Sequence, residues 1–145
     1  MSETVRESIL VKADADTIMD VIADFDAYPD WQPDFKSVEV LETDDDGWAT
    51  KVRFVLDAMI MTTSYTLAYT YTDTSMSWHL VEGEQVRKVD GSYTLEDAGG
   101  GQTKVTYQLE VDPTISVPGI LKRKATKKIV DSALKGMKQR VESLA

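Results

Sequence analysis

The sequence predicts an α+β domain: a curved antiparallel sheet of seven strands around one long C-terminal helix, with two short helices after the first strand. Three observations carry this prediction. Apolar residues recur at every second position through most of the chain, the period of a half-buried strand. From Leu121 onward they recur at three- and four-residue steps, the period of a helix face. Between the first strand and the rest, "DAYPDWQPDF" crowds prolines and aromatic rings together, unlike a flexible linker rich in Gly and Ser.

Taken in order, Val5, Glu7, Ile9 and Val11 are spaced by two, so residues 3–12 read as a strand at or near a sheet edge. Asp14 or Asp16 supplies a helix N-cap, and Ile18, Val21 and Ile22 follow at helical spacing over Thr17–Asp24. Tyr28-Pro29 is expected to end that helix, because proline lacks a donor and turns its predecessor away from the helical region. A short helical corner and a strand at Phe35–Glu42 come next, then the turn "TDDDG".

Trp48, Val52, Phe54 and Leu56 share one face of the third strand. Met59, Met61, Tyr65, Leu67, Tyr69 and Tyr71 alternate with threonines and a serine. If residues 59–72 form one strand it spans about 46 Å, and a strand so long must curl. Strands at Ser75–Val81, Val86–Glu96 and Gln102–Asp112 follow, the last two joined by the loop "EDAGGGQT". Pro118 opens the final helix, whose stripe runs through Leu121, Ala125, Ile129, Val130, Ala133, Met137, Val141 and Leu144. No internal repeat or boundary divides residues 1–145, which are read as a single domain.

Composition excludes several chemistries. The chain has no cysteine and a single histidine, His79, so thiolate and multi-histidine metal sites are ruled out. No glycine-rich phosphate loop or Ser/His/Asp set is present, and no cofactor is expected. The net charge of −9 is unevenly placed. Pro118–Ala145 carries eight basic residues against two acidic ones, a local +6, which leaves −15 on the remainder. Such a body repels phosphate, so nucleic acid is not an expected partner. The basic helix face allows at most peripheral contact with an anionic membrane, and is otherwise a solvated face over the acidic body. With neither a signal peptide nor a membrane-spanning run, the expectation is a soluble cytoplasmic protein, monomeric because no large apolar stripe is left over.

Several strings sharpen the picture: "ETVRESILVKADADTIMDVIADFDAYPDW", "MSWHLVEG", "DGSYTLED", "TKVTYQLEVD" and "VPGILKRK" with "ALKGMKQRVE". Across nearly the whole chain they resemble the START-like (SRPBCC, helix-grip) superfamily, and within it the bacterial polyketide cyclase/dehydrase and coenzyme-Q-binding branch. The resemblance implies the helix-grip fold and a ligand of the lipid, isoprenoid quinone or polyketide class, held between sheet and C-terminal helix. Because that superfamily hosts carriers, receptors, allergens and cyclases, the fold does not choose among them.

With the fold implied, the interior looks unlike a Leu/Ile/Val core. Phe54, Met59, Met61, Tyr65, Tyr69 and Trp78 face inward, as do Tyr93 and Tyr107, with Ile129, Ala133 and Met137 on the helix above. Adaptable methionines and tyrosine hydroxyls suit an apolar cavity for a molecule with a few oxygens, although a plain packed core is the other reading of the same stripe. Trp31 and Phe35 are expected to close the gap between sheet and helix, Trp31 either as a gate meeting the ligand or as a plug. Gly136 interrupts the helix, leaving room for a ligand or for close backbone packing.

Candidate catalytic groups, if the protein is an enzyme, are Tyr65, Tyr69, Arg87 and Glu82. A hairpin turning at Gly83-Glu84 places Arg87 on the face of Trp78 and Leu80, where it could hold a carboxylate or enolate; a single bulge sends it to the surface. His79, next to Trp78, points the other way. Nothing in the spacing makes an acid and a base converge. The leading expectation is therefore non-enzymatic binding of a hydrophobic small molecule, with a cyclase/aromatase-type enzyme and a protein-interaction module as alternatives.

Overall fold

A computed structural model of the chain describes residues 3–57 and 62–144. Met59 and Met61 lie outside the described residues, as does the first part of the long strand expected over 59–72. Seven strands form one antiparallel sheet: β1 (Glu3–Val11), β2 (Phe35–Thr43), β3 (Ala49–Asp57), β4 (Thr62–Thr72), β5 (Ser75–Gly83), β6 (Val86–Gly99) and β7 (Gln102–Pro113). Their order is β1-β7-β6-β5-β4-β3-β2, so every neighbour is a hairpin partner except β1, which crosses over to lie beside β7.

Helix α1 (Ala15–Ile22) starts where Asp14 accepts a 2.8 Å hydrogen bond from the Thr17 amide, satisfying one of the orphan donors of its first turn. It stops at Ile22 rather than at Tyr28-Pro29. A 3₁₀ turn at Phe25–Ala27 intervenes, and α2 (Tyr28–Trp31) then begins at Tyr28. Pro29 therefore opens a helix instead of closing one, in the first turn where an N–H has no partner to lose. The crowded corner is held together by its own rings: Tyr28 lies 5.0 Å from both Phe25 and Trp31, and its hydroxyl donates to the Ile22 carbonyl.

Helix α3 (Gly119–Ser143) packs Ala125, Val130, Ala133, Leu134, Met137 and Val141 onto the sheet. Leu121 and Leu144, expected in that stripe, are exposed; Leu121 sits on the outward face and Leu144 caps the C-terminus. The helix also covers the open edge of β1. Arg123 and Lys138 donate to the Thr4 and Leu10 carbonyls, and Glu142 accepts from the Lys12 amide. Lys127 adds an ion pair to Glu7 at 3.2 Å. Backbone groups that invite another strand are thereby occupied. Of the basic segment, the side turned to β1 thus meets one carboxylate and two backbone carbonyls.

Between β5 and β6 the sheet splits. The two strands pair where Ser75–Trp78 meet Gly91–Thr94, and beyond Trp78 no β5–β6 pairing continues among the described residues. Each strand follows its outer neighbour instead, with register shifts that skip Val81 in β5 and Arg87 in β6. The tip is held from both sides, Glu84 by the Ser64 carbonyl and Gln85 by the Thr114 amide, with Gln85 at a positive φ of 65°. Bulges of this kind bend a sheet and re-aim side chains.

Candidate ligand cavity

The space between the bent sheet and the N-terminal half of α3 is not filled. An apolar cavity of about 70 Å³ remains, walled by Phe54, Tyr65, Tyr69, Met76 and Trp78 on the sheet and roofed by Ala125, Thr126 and Ile129. Tyr93, Tyr107 and Leu109 continue the wall, and Tyr28, Gln32 and Phe35 close one end. The strand alternation produces this wall directly, since residues two apart on β4, β5 and β7 face the helix together. Trp78 fits because Gly91 faces it: a Cβ there would come within 2.5 Å of the indole. The rings form a continuous set, with Trp78 5.5 Å from Tyr107 and Tyr107 edge-on to Tyr93 at 4.6 Å.

Hydroxyls divide into two groups. Tyr28 and Tyr71 donate to backbone carbonyls, Tyr71 to Ala49 at 2.5 Å. Tyr65, Tyr69, Tyr93 and Tyr107 are more than nine-tenths buried, yet no hydrogen bond engages their hydroxyls among the described residues. Burial raises the pKa of all four, and neighbouring tyrosines add to it for Tyr65, Tyr69 and Tyr93. They are neutral donors and acceptors at physiological pH, not bases. Two other polar side chains are already used: Thr63 donates to the Glu84 carbonyl and Thr126 to its own helix at Lys122. The Gln32 amide is buried at the closed end, and the Lys122 side chain borders the cavity from α3.

Seven of the expected cavity residues line this space: Phe54, Tyr65, Tyr69, Trp78, Tyr93, Tyr107 and Ile129. Ala133 and Met137 do not; both are fully buried, farther along α3 where helix and sheet meet without a gap. Trp31 is also placed away from the cavity, against Gly136. A Cβ at Gly136 would sit 2.4 Å from the Trp31 carbonyl oxygen, so the glycine serves close packing by the α2 corner and leaves no ligand space. Trp48 stands half-buried just before β3 beside Tyr71, 5.2 Å away, and does not line the cavity.

Of the catalytic candidates, Tyr65 and Tyr69 reach the cavity and the other two do not. The bulge at Arg87 leaves Val86 and Val89 facing inward and turns the arginine out, where it pairs with Asp112 at 3.4 Å and donates to the Pro113 carbonyl. Glu82 is exposed on the outer face of the sheet, beside Arg53 and Thr66. His79 is exposed as well. Sequence reasoning missed Gln32, Met76 and Val89. Met76 carried a signal, two residues before Trp78 on the same strand; a lone glutamine between an aromatic and a proline carried none.

The model of the family described as "Polyketide cyclase / dehydrase and lipid transport" matches residues 2–142. No curated protein sequence matches the chain. Among solved structures, the chain is similar to a START superfamily protein from Mycobacterium smegmatis, with 25% identity, 98% and 99% of the two chains covered and a TM-score of 0.89. It is also similar to a protein from Thermus thermophilus (22% identity, 99% of each chain, TM-score 0.82). A third is the Zhui aromatase/cyclase from a Streptomyces species (17% identity, 98% and 94% covered, TM-score 0.80). The family match spans the sheet, the corner and the long helix alike, and the chain belongs to the polyketide cyclase/dehydrase and lipid transport family of the START-like superfamily.

Proposed function

We propose that this protein binds a hydrophobic small molecule bearing a few oxygens, of the lipid, isoprenoid quinone or polyketide class, and carries or presents it without chemical change. One observation carries the reading: four tyrosines of the core border an apolar cavity, and their hydroxyls make no hydrogen bond among the described residues. The fully buried side-chain atoms without partners among the described residues are Trp31 Nε1 and Asp112 Oδ1, so the four tyrosine oxygens keep accessible surface, and each can take up a partner that enters the cavity. A ligand with spaced carbonyl or hydroxyl oxygens provides such partners while its carbon skeleton meets Met76, Trp78 and Leu109. A cavity of 70 Å³ holds several waters on a scale where one needs ~10–15 Å³. A long chain must therefore displace the wall, and an unbranched methionine such as Met76 is suited to giving way.

A cyclase/aromatase-type enzyme is the second reading, supported by the structural similarity to the Zhui aromatase/cyclase and by hydroxyls able to hydrogen-bond an enolate oxygen. It needs an acid and a base in reach of one substrate; Arg87 and Glu82 lie outside the cavity, and Lys122 is the one ionisable side chain besides the tyrosines among its described lining residues. An interaction module is favoured by a filled interior, which the cavity counts against. We infer a monomer, since the large exposed apolar residues outside the start of α3, namely Leu10, Leu41, Val81 and Leu144, lie on separate elements.

The deciding experiment is native mass spectrometry of protein purified from its own host, followed by extraction and identification of whatever is bound. A co-purifying quinone, lipid or polyketide near one per chain supports the carrier. Protein that is empty, and stays empty against a panel of such molecules, overturns it.

A further inference from the structure

The outward face of α3 has a composition that neither the fold nor the cavity requires. Ile120, Lys124 and Lys128 follow one another at four-residue steps, and Leu121 leads to Lys128 and Lys135 at seven-residue steps, so all five lie on one stripe. Ile120 is 78% exposed and Leu121 37%, and Ile115, just before the helix, is 40% exposed. Lys124, Lys128 and Lys135 are exposed and form no ion pair among the described residues. Lys127 and Lys138, which lean toward β1, are committed to Glu7, Asp131 and Glu142. An uncommitted cationic stripe with protruding isoleucine and leucine at one end is the pattern of a helix that rests in a membrane interface.

Its surroundings strengthen the case. The rest of the chain carries −15 and is repelled by an anionic surface, so this face alone can approach one, and it fixes the orientation of approach. Beside Lys128 runs a groove, with Pro33 and the single acidic residue Asp34 on its rim, bordered further by Ser132, Ile129, Gln32, Phe35 and Leu56. The last four of these also line the cavity, so a partition one residue thick separates groove from cavity. A molecule resting on this face presents that partition to the surface it rests on.

We propose that the outward stripe of α3 docks on an anionic lipid bilayer. Ile120 and Leu121 enter the acyl boundary, Lys124 and Lys128 meet the headgroups, and the Gln32–Ile129 partition faces the membrane. The purpose of docking, exchange of a membrane-soluble ligand with the cavity, rests on the function proposed above; the docking itself does not. An acidic protein partner fits the lysines but leaves the isoleucine and leucine at the tip without a role.

The test is co-sedimentation of the full chain with vesicles of phosphatidylcholine alone and of phosphatidylcholine with phosphatidylglycerol. Binding is expected to the anionic vesicles at low salt, to fall as salt screens the lysines, and to be absent on neutral vesicles. Each lysine near the surface contributes about five-fold in partitioning, so Lys124→Ala with Lys128→Ala should weaken binding about 25-fold. Ile120→Ser with Leu121→Ser should weaken it at least about ten-fold. Because the chain has no cysteine, an environment-sensitive dye on Ile120→Cys labels one site, and its emission should shift to the blue on anionic vesicles.

No partition into anionic vesicles overturns the proposal. So does binding that the serine pair leaves unchanged, which is adsorption without insertion. Retention on soluble polyglutamate with no vesicle binding assigns the face to an acidic protein and overturns it too. Uptake of anilinonaphthalene sulfonate into the cavity, followed by fluorescence in the absence of vesicles, keeps the two readings apart. None of the four substituted positions lines the cavity, so uptake that persists without vesicle binding removes only the docking surface. Vesicle binding without uptake removes only the ligand reading.

Discussion

Tyr69 and Tyr93 test the site at the scale of single atoms. Replacing either with phenylalanine removes one hydroxyl and leaves the ring contacts that hold Trp78 in place. An oxygenated ligand should then bind about 5- to 10-fold more weakly, the worth of one hydrogen bond, while the thermal midpoint holds because no hydrogen bond within the protein is lost. Fluorescence titration and thermal unfolding of the same samples separate the two effects; unchanged affinity in both variants would show that the hydroxyls do not touch ligand. The same tyrosines set a pH response. Their folded pKa values are raised by burial above the ordinary value of 10.0, as is that of Tyr28. Below pH ~10 tyrosine is protonated in both folded and unfolded chains, and the full stability is present. Above it the unfolded chain loses protons that the folded one keeps, so stability falls as pH rises toward the folded values. Urea midpoints measured from pH 8 upward should be flat to about pH 10 and then decline.

At the scale of elements, glycines and bulges decide more than propensity does. Alanine in place of glycine within an exposed helix gains about 1 kcal/mol. At Gly136 the added Cβ meets the Trp31 carbonyl at 2.4 Å, so Gly136→Ala should instead destabilise by about 1–3 kcal/mol, as overpacking does. A denaturation midpoint that rises would disprove the close packing of corner and helix. Arg87 is governed by the bulge beside it. With its side chain 60% exposed, Arg87→Ala should leave stability within about 0.5 kcal/mol, and ligand affinity unchanged; a large loss of binding would place the arginine at the cavity after all. Which way Arg87 pointed was not legible from alternation, because one skipped residue reverses every face beyond it. The helix boundary at Ile22 was missed for a related reason: Pro29 is equally at home ending one helix or opening the next, and only the Tyr28 ring contacts choose.

For the whole molecule, α3 does two jobs along its length. Its N-terminal half roofs the cavity through Ala125, Thr126 and Ile129, and its C-terminal half packs solidly through Ala133, Met137 and Val141. Tryptophan substitutions at the two levels should therefore behave oppositely. Ile129→Trp is expected to fill the cavity and block ligand while the fold persists. Met137→Trp should cost about 1–3 kcal/mol in stability and leave the affinity of the folded fraction as it was. Equal effects on ligand affinity from both would mean that the cavity runs the full length of the helix. The seam along β1 runs the length of the helix, from Arg123 and Lys127 to Lys138 and Glu142, so the β1 side holds both halves.

By itself the sequence determined the strands, the long helix and which faces of each were apolar, because alternation and helical spacing are properties of neighbouring residues. Tyr65, Tyr69, Tyr93 and Tyr107 were legible as inward on that ground alone. The tertiary structure decided where the inward side chains meet and where they leave space. Met137 and Ile129 share one stripe, yet one is packed and the other borders a cavity, a difference set by what faces each across the helix–sheet interface. It also decided that Gly136 serves Trp31, that Arg87 faces out and that Gln32 closes the cavity. Each of these depends on distances between elements far apart in the chain, set by bulges and close approaches that no local pattern encodes.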